Sequence, residues 1–297
     1  MKDEIKNIIN AEIVTTELFC VVKKNDAYEV RKLNSHENLD TSIKNLISES
    51  VTTQFLSEDK ECLDITQITN KKDVIYEANL EDLDGLKFMN FNDVGDYVAE
   101  DGDLKAFVIK VSNGEKVLYC FQYIYPTAYI KRYGKIPFFR EQEQYREIHS
   151  NIMVLEGRID FIVLENKVYV QNWKLLESKF GFTDFIKTSA TETINSLKNL
   201  DLLENIDKLV NEANKKIPVC KQLMKARNSA VFKRNRDLIL NNAKNIEQYQ
   251  SLFNEKGKLV ANTIASVKLF IKLLNDDMLY SKLTEESYDA SDKVLIV

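Results

Sequence analysis

Glycine and proline are scarce in this chain. Its 297 residues include eight glycines and only three prolines, Pro126, Pro137 and Pro218. This composition excludes long low-complexity linkers and glycine-rich repeats. Hydrophobic residues make up 44% of the chain and charged residues 29%. These values are typical of a globular protein, and the length allows a substantial core.

Cysteine and histidine are also few and widely spaced. None of the four cysteines forms a C-x-x-C pair with another: Cys20, Cys62, Cys120 and Cys220. The two histidines, His36 and His149, lie in separate regions. This spacing predicts no zinc site, no disulfide framework and no metal cluster, and a reducing cytosol is the expected compartment. We therefore expect neither a metal nor a cofactor.

Long apolar runs are absent. The longest, Val117–Tyr125, is interrupted by Gln122 and has the length of a strand, so we predict no membrane-spanning segment. The first residues include Asp3 and Glu4, where a signal peptide has a basic and then an apolar run. The sequence therefore predicts a cytoplasmic protein.

Motifs that define common enzyme classes are missing as well. There is no phosphate loop, dinucleotide fingerprint or serine-hydrolase elbow. One fragment, Asp160 with Glu165-Asn166-Lys167, resembles the carboxylate and lysine pattern that holds Mg²⁺ in nucleases. It matches poorly, because Glu165 and Lys167 fall in a predicted hairpin turn. We expect no catalytic residues, with a divalent-metal nuclease as the alternative.

The hydrophobic periodicity predicts an α+β fold with a mixed, mainly antiparallel sheet in the N-terminal and central part and a helical C-terminal region. Two hairpins are clear, 104–111 with 116–125 around Asn113-Gly114, and 158–164 with 168–173. An opening hairpin joins 17–23 to 28–33, and a helix covers 37–55. A helical periodicity of 3.6 residues in the apolar positions begins near Thr183. Further helices are expected at about 218–228, 230–254 and 261–275.

Charge is distributed unevenly along the chain. Residues 1–104 hold 23 acidic and 11 basic residues, a net charge of −12. We divide the chain into an acidic N-terminal α+β part at 1–103, a central antiparallel hairpin region at 104–181, and a helical C-terminal part at 182–297. The last part contains a basic segment, 215–244, with nine basic residues and one acid, Asp237, for a local charge of +8. A surface of this kind attracts polyanions.

Six cations of the basic segment are the predicted DNA contacts. They fall on an exposed helix face or at the break between two helices, with Ser229 as the candidate N-cap: Lys221, Lys225, Arg227, Lys233, Arg234 and Arg236. Six phosphate contacts would give a slope of log affinity against log salt of about −5. The alternative is a solvated helix face that is balanced by acids elsewhere in the fold, or that meets an acidic protein surface or anionic lipid.

Two other charged stretches are secondary candidates. Aromatic residues alternate with cations in a second possible nucleic-acid patch that includes Lys131, Arg132, Lys135 and Arg140. The alternative without nucleic-acid binding is an edge strand whose tyrosines pack on the sheet. An acidic run from Asp82 to Asp103 lacks the order of a calcium loop, so we interpret it as a solvated loop, with a partner surface as the alternative.

Two blocks of sequence carry a family resemblance. One is the hairpin Gly157–Val163 with Val168–Trp173, and the other is Lys272–Thr284, followed by Tyr288 and Lys293. Together they resemble the KwaB family of the bacterial Kiwa anti-phage system. The resemblance covers most of the chain beyond about residue 100, and its motifs describe structural positions.

This resemblance implies a cytosolic DNA-binding effector. Such an effector binds phage DNA with little sequence specificity and impedes its replication or expression. It is held peripherally at the inner membrane by a multi-spanning partner, KwaA, and it self-associates into a homo-oligomer. The resemblance supplies no catalytic residues, so the candidate site residues depend on charge and spacing alone.

Overall fold

A computed structural model describes residues 1–69, 71, 73–91, 94–98, 103–125, 129–130, 138–141, 144–148, 152–281, 283 and 285–290. The chain divides into two compact units. The sheet unit comprises Met1–Cys62 and Asp73–Leu176, and the helical unit comprises Leu63–Lys72 and the chain from Glu177 on. The predicted α+β class, with a mainly antiparallel sheet and a helical C-terminal region, is confirmed. The three-part division of the chain stays a prediction.

The strands up to Val170 follow one another along the chain. They are β1 (Thr15–Lys24), β2 (Ala27–Leu33), β3 (Glu61–Asp64), β4 (Val74–Asn79), β5 (Asp103–Ser112), β6 (Val117–Tyr123), β7 (Tyr129–Ile130), β8 (Phe138–Glu141), β9 (Gln144–Glu147), β10 (Ile152–Met153), β11 (Phe161–Leu164) and β12 (Lys167–Val170). Eight of them form one sheet in the order β2-β1-β5-β6-β11-β12-β4-β3. The pairs from β2 to β4 are all antiparallel.

Tight turns fix the register of the predicted hairpins. Asn25 and Asp26 both have positive φ, 50° and 64°, between β1 and β2. Gly114, with φ of 89°, closes the turn between β5 and β6. Positive φ at the turn matches the right-handed twist of the strands, so these short loops hold their hairpins in one register. All three hairpins expected from the sequence are confirmed.

Two helices cover one face of the sheet, α1 (Lys2–Ile9) and α2 (Glu37–Phe55). The imidazole of His36 caps α2 by accepting a hydrogen bond from the Asn38 backbone N–H at 3.4 Å. Both helices pack their apolar stripes on alternate residues of the central strands, which together form the core: Ile5, Ile8, Ile43, Ile47, Val51, Cys20, Phe107, Ile109, Cys120 and Ile162. The predicted helix 37–55 is confirmed, whereas α1 was not predicted.

The helical unit contains most of the remaining helices. These are α3 (Trp173–Lys179), which begins before the unit boundary, then α4 (Phe182–Leu200), α5 (Asp207–Lys215), α6 (Ile217–Ala226), α7 (Arg236–Lys244), α8 (Glu247–Gln250) and α9 (Ile264–Asn275). A short hairpin, β13 (Met278–Ser281) with β14 (Glu286–Asp289), follows α9. The core is formed by residues of α4, α5, α6 and α9: Ile186, Leu197, Leu209, Leu223, Phe270 and Leu274.

The predicted helix at 230–254 is wrong. That stretch consists of a 3-10 turn at Ala230–Lys233, then α7 and then α8. The side chain of Asn235 caps the N-terminus of α7 by accepting a hydrogen bond from the Leu238 backbone N–H at 2.9 Å, so α7 begins as a separate helix. Ile246 adopts an extended conformation between α7 and α8. Asparagine competes for backbone hydrogen bonds and therefore favours helix ends, which explains these interruptions.

Candidate nucleic-acid interface

The basic segment runs from the last residue of α5 through α6 to the last residue of α7. Lys221 and Lys225 lie on α6, Arg227 follows its end, and Lys233 and Arg234 lie at the end of the 3-10 turn. Arg236 is the first residue of α7, so the last three cations lie at the connection between helices, as predicted. Ser229 occupies the N-cap position of the 3-10 turn, but its side chain does not cap it, because the hydroxyl donates to the Leu274 carbonyl at 2.5 Å.

The two lysines of α6 hold the helical unit together. The Lys221 ammonium lies 2.8 Å from the Glu177 carboxylate, and both side chains are only 23% exposed. The Lys225 ammonium lies 3.9 Å from the carboxylate of Asp277, which is 6% exposed. Half-buried pairs of this kind anchor the end of α9 and the last turns of α3 to α6. Neither lysine is available to a phosphate without exposing a carboxylate that the fold has covered.

The two arginines at the helix ends form more open pairs. Arg227 pairs with Glu192, and the side chains are 49% and 51% exposed. Arg236 donates from Nε to the Asp201 carbonyl at 2.9 Å, and its guanidinium also lies 3.6 Å from the Asp201 carboxylate. Exposed pairs contribute about 0 to 1 kcal/mol, so a phosphate could replace the carboxylate at little cost.

Lys233 and Arg234 differ from the other four cations. Both side chains are exposed, and within the part of the chain that the structure describes neither has a hydrogen-bond or ion-pair partner. They directly precede Asn235, the N-cap of the nine-residue helix α7. The first backbone N–H groups of α7 point out of this N-terminal end. Two unpaired cations beside a helix N-terminus form a surface that attracts anionic oxygens.

Asparagines of the basic segment can supply neutral contacts to phosphates or bases. Two of them already have structural roles, because Asn235 caps α7 and Asn228 donates from Nδ2 to the Thr66 hydroxyl. The three asparagines on the distal part of α7 and just beyond it are exposed: Asn241, Asn242 and Asn245. Neutral contacts from this segment are therefore restricted to the far end of α7.

The nuclease-like fragment does not converge on one point. Asp160 precedes β11 and Glu165 follows it, so their backbones are separated by about 16 Å along the extended strand. Asp160 pairs with Arg158, Glu165 lies 3.0 Å from the Lys116 ammonium, and Lys167 lies 2.9 Å from Glu77. The carboxylates of Asp160 and Glu165 therefore cannot hold one metal ion in this arrangement.

Asp160 instead fastens the chain before β11 to the end of β6. Its carboxylate accepts a hydrogen bond from the Tyr123 backbone N–H at 2.6 Å, and Arg158 donates to the Tyr123 carbonyl at 2.9 Å. The guanidinium of Arg158 also lies over the Tyr125 ring, 4.8 Å from its centroid. Burial raises the pKa of the Asp160 carboxyl, although Tyr123 and Arg158 oppose this shift.

This raised pKa predicts a pH-dependent stability. An acid whose pKa is higher in the folded state contributes most below its ordinary pKa, and the contribution is lost as pH rises through the folded value. We expect the free energy of unfolding of the wild type, relative to Asp160→Asn, to fall as the pH rises above about 4, the ordinary pKa of an aspartate. Urea unfolding at a series of pH values measures it. A difference between wild type and Asp160→Asn that does not change with pH would contradict the prediction.

Other predicted sites are described only in part. Lys131, Arg132 and Lys135 lie outside the described residues, and of Arg140 only the backbone, in β8, is described. In the acidic run, Asp82 and Asp84 lie in two short 3-10 turns, and Asn79 donates to the Asp82 carboxylate at 2.9 Å. Among the described residues no group of histidines, cysteines and acids is arranged to hold a metal ion. None of the described helices is long and apolar enough to cross a bilayer.

Comparison with known proteins gives one consistent result. The family model described as Kiwa protein KwaB-like matches residues 102–284. The Kiwa protein KwaB of Escherichia coli O55:H7 (strain RM12579 / EPEC) is 28% identical over 193 residues, which cover 63% of this chain and 61% of that protein. The chain thus spans about three fifths of the length of the curated relative it matches. No solved structure matches it.

Proposed function

Since the chain belongs to the Kiwa protein KwaB-like family, we propose that it acts in Kiwa anti-phage defence by binding DNA with little sequence specificity. The observation that carries the binding proposal is the pair of exposed cations, Lys233 and Arg234, beside the N-terminus of α7. Phosphate oxygens meet positive charge and backbone N–H groups at one place there. Contacts to phosphates position a protein on DNA without reading its sequence, which fits the proposed low specificity.

The pairing pattern reduces the candidate contact set from six cations to four. Lys233 and Arg234 are free to bind, and Arg227 and Arg236 can exchange an exposed carboxylate for a phosphate. Lys221 and Lys225 are assigned to the fold. Four phosphate contacts correspond to a slope of log affinity against log salt of about −3.6, shallower than the slope expected for six.

The proposed mode of action is non-catalytic. Protein bound along phage DNA would obstruct polymerases and so impede replication or expression, with no bond made or broken. In this proposal a multi-spanning partner, KwaA, holds the protein at the inner face of the membrane, and self-association into a homo-oligomer multiplies weak phosphate contacts along one DNA molecule. The separation of Asp160 from Glu165 supports binding over metal-dependent cleavage.

The direct test reverses charge at the two exposed cations. In the double variant Lys233→Glu with Arg234→Glu, we expect the affinity for duplex DNA to fall at least about tenfold at 0.1 M salt, and the salt slope to become less steep by about 1.8. Fluorescence anisotropy across a salt series measures both quantities. Lys6→Glu with Lys24→Glu is the matched control, because these exposed lysines of the sheet unit give the same change in net charge.

The control and the variant together decide between the candidate functions. Equal losses in both double variants would show that net charge alone matters, and the assigned surface would be wrong. Unchanged DNA binding in the Lys233/Arg234 variant, with loss of binding to phosphatidylglycerol vesicles, would assign the same cations to an anionic lipid surface. Plasmid cleavage in Mg²⁺ that is abolished by Glu165→Ala would contradict the non-catalytic mode.

A further inference from the structure

The sheet unit contains an apolar cavity of about 500 Å³ that the DNA-binding proposal does not use. The cavity lies beside α2 at the paired ends of β1 and β2. Helix α2 lines it with Leu39, Ser42, Ile43 and Leu46, which recur at the spacing of one helix face. The remaining walls come from β1, β2, β5 and β10 and from the residues that follow β2 and β10: Leu18, Leu33, Asn34, Ser35, Phe107, Met153, Val154 and Leu155.

The cavity has a buried floor and an apolar rim. Ile43 and Phe107 are 4% and 2% exposed, so the bottom belongs to the core of the sheet unit. Leu39 and Val154 at the rim are 49% and 42% exposed, a large exposure for residues of this type. Covering these rim side chains and filling the space above the floor would remove apolar surface from water, which is the main source of affinity for an apolar ligand.

Polar groups in the wall are few and mostly satisfied. The Ser42 hydroxyl donates to the Asn38 carbonyl at 3.1 Å, and the Ser35 hydroxyl donates to the Asp40 carboxylate. Asn34 is exposed, and its side chain has no hydrogen-bond partner among the described residues. None of the described residues that line the cavity is charged. A ligand that fits these walls has an apolar body and one uncharged polar end.

Size distinguishes a small molecule from a protein partner. The volume lies within the range of about 300 to 1,000 Å³ that is typical of small-molecule sites. One side of a stable protein interface has about 20 to 30 residues, roughly twice the number that line this cavity. We propose that the cavity binds the hydrocarbon tail of an uncharged amphiphile, with its polar head at Asn34. This inference is independent of the DNA-binding proposal.

A chain-length series tests the proposed ligand class. Straight-chain 1-alcohols from butanol to decanol, each below its solubility limit, are titrated calorimetrically into the full-length protein. We expect the affinity to rise about fourfold with each methylene and then to stop rising when the cavity is full. An increase without a plateau, or no binding of any member, would overturn the proposal. Decanoate should bind less tightly than 1-decanol, and equal or tighter binding would overturn the uncharged class.

A variant that fills the cavity tests whether the alcohol binds there. Ser42 is exposed on α2 and makes only a hydrogen bond within its own helix, so Ser42→Phe can fill the cavity while α2 remains intact. We expect at least tenfold weaker binding of 1-octanol. Thr52→Phe is the matched control, because Thr52 is an exposed residue of α2 that bonds the Ser48 carbonyl at 2.8 Å and does not line the cavity.

Two results of the filling experiment would contradict the assignment. Equal effects of Ser42→Phe and Thr52→Phe on binding would place the alcohol elsewhere. Light scattering addresses a different occupant, an apolar side chain from a second copy of the chain. If Ser42→Phe lowers the molar mass in solution while the wild type binds no alcohol, a second copy occupies the cavity and the amphiphile proposal is wrong. Unfolding curves confirm that both variants are folded.

Discussion

Replacement of Phe121 by alanine is expected to lower the free energy of unfolding of the sheet unit by about 4 kcal/mol. Phe121 is fully buried in β6, a central strand. Its ring stacks on Phe161 of the neighbouring β11, with centroids 4.3 Å apart and an interplanar angle of 16°. Truncation removes the buried ring, leaves a cavity between paired strands, and forfeits the aromatic contact, itself about 0.5 to 1.5 kcal/mol.

Urea unfolding followed by tryptophan fluorescence measures this loss. Trp173 is the single tryptophan of the chain and belongs to the sheet unit, so its emission reports that unit. Phe121→Leu should lose less than about 1.5 kcal/mol, because it retains most of the volume. Ile13→Ala, at a residue that is 74% exposed, should change stability by under about 0.5 kcal/mol. Equal losses for Phe121→Ala and Phe121→Leu would show that the packing of the ring is unimportant.

The elements best predicted from the sequence are those with strong local signals. Helix α2 was predicted over 37–55 because its apolar residues recur every four positions, and it spans Glu37–Phe55. The hairpin around Asn113-Gly114 follows from the need for positive φ, which Gly114 adopts. Helix α1 carries the same kind of signal in Ile5, Ile8 and Ile9, so it could have been predicted from the same spacing.

The pairing of the basic segment could not be predicted from local sequence. A +8 segment with one acid suggested that few of its cations were paired within their own helix. The partners instead come from far along the chain, Glu177 for Lys221 and Glu192 for Arg227. Such pairs depend on how helices pack, and one sequence does not contain this information. The alternative interpretation, in which acids elsewhere in the fold balance the basic residues, therefore holds for part of the basic segment.

The end of α9 lies in the sequence block Lys272–Thr284, one of the two blocks that resemble the KwaB family. The end of the helix predicted at about 261–275 is confirmed, because α9 ends at Asn275 and Asp276 adopts a left-handed conformation with φ of 54°. The Asp277 backbone N–H then donates to the Lys272 carbonyl at 2.9 Å. The turn carries the Asp277 side chain back toward α6, where it lies among buried groups. The turn that ends α9 therefore also places a buried charge.

Lys225→Met is expected to lower the free energy of unfolding of the helical unit by about 3 kcal/mol. The methionine keeps the apolar length of the lysine stem but removes the ammonium that lies 3.9 Å from the Asp277 carboxylate. That carboxylate is 6% exposed, so water cannot replace the missing cation. Leaving one member of a buried pair charged is costly, whereas removing both charges is often neutral. The double variant Lys225→Met with Asp277→Asn should therefore recover most of the loss.

The same variants test how the six cations divide between fold and DNA. Far-UV circular dichroism in urea follows the helical unit, and Lys233→Met, at an exposed residue, should change stability by under about 0.5 kcal/mol. Under conditions where all variants are folded, Lys225→Met with Asp277→Asn should bind DNA as the wild type does, while Lys233→Met should bind more weakly and with a shallower salt slope. Wild-type stability in Lys225→Met would contradict the structural role of Lys225. If Lys225→Met with Asp277→Asn and Lys233→Met reduce the DNA affinity equally, Lys225 belongs to the DNA-contact surface.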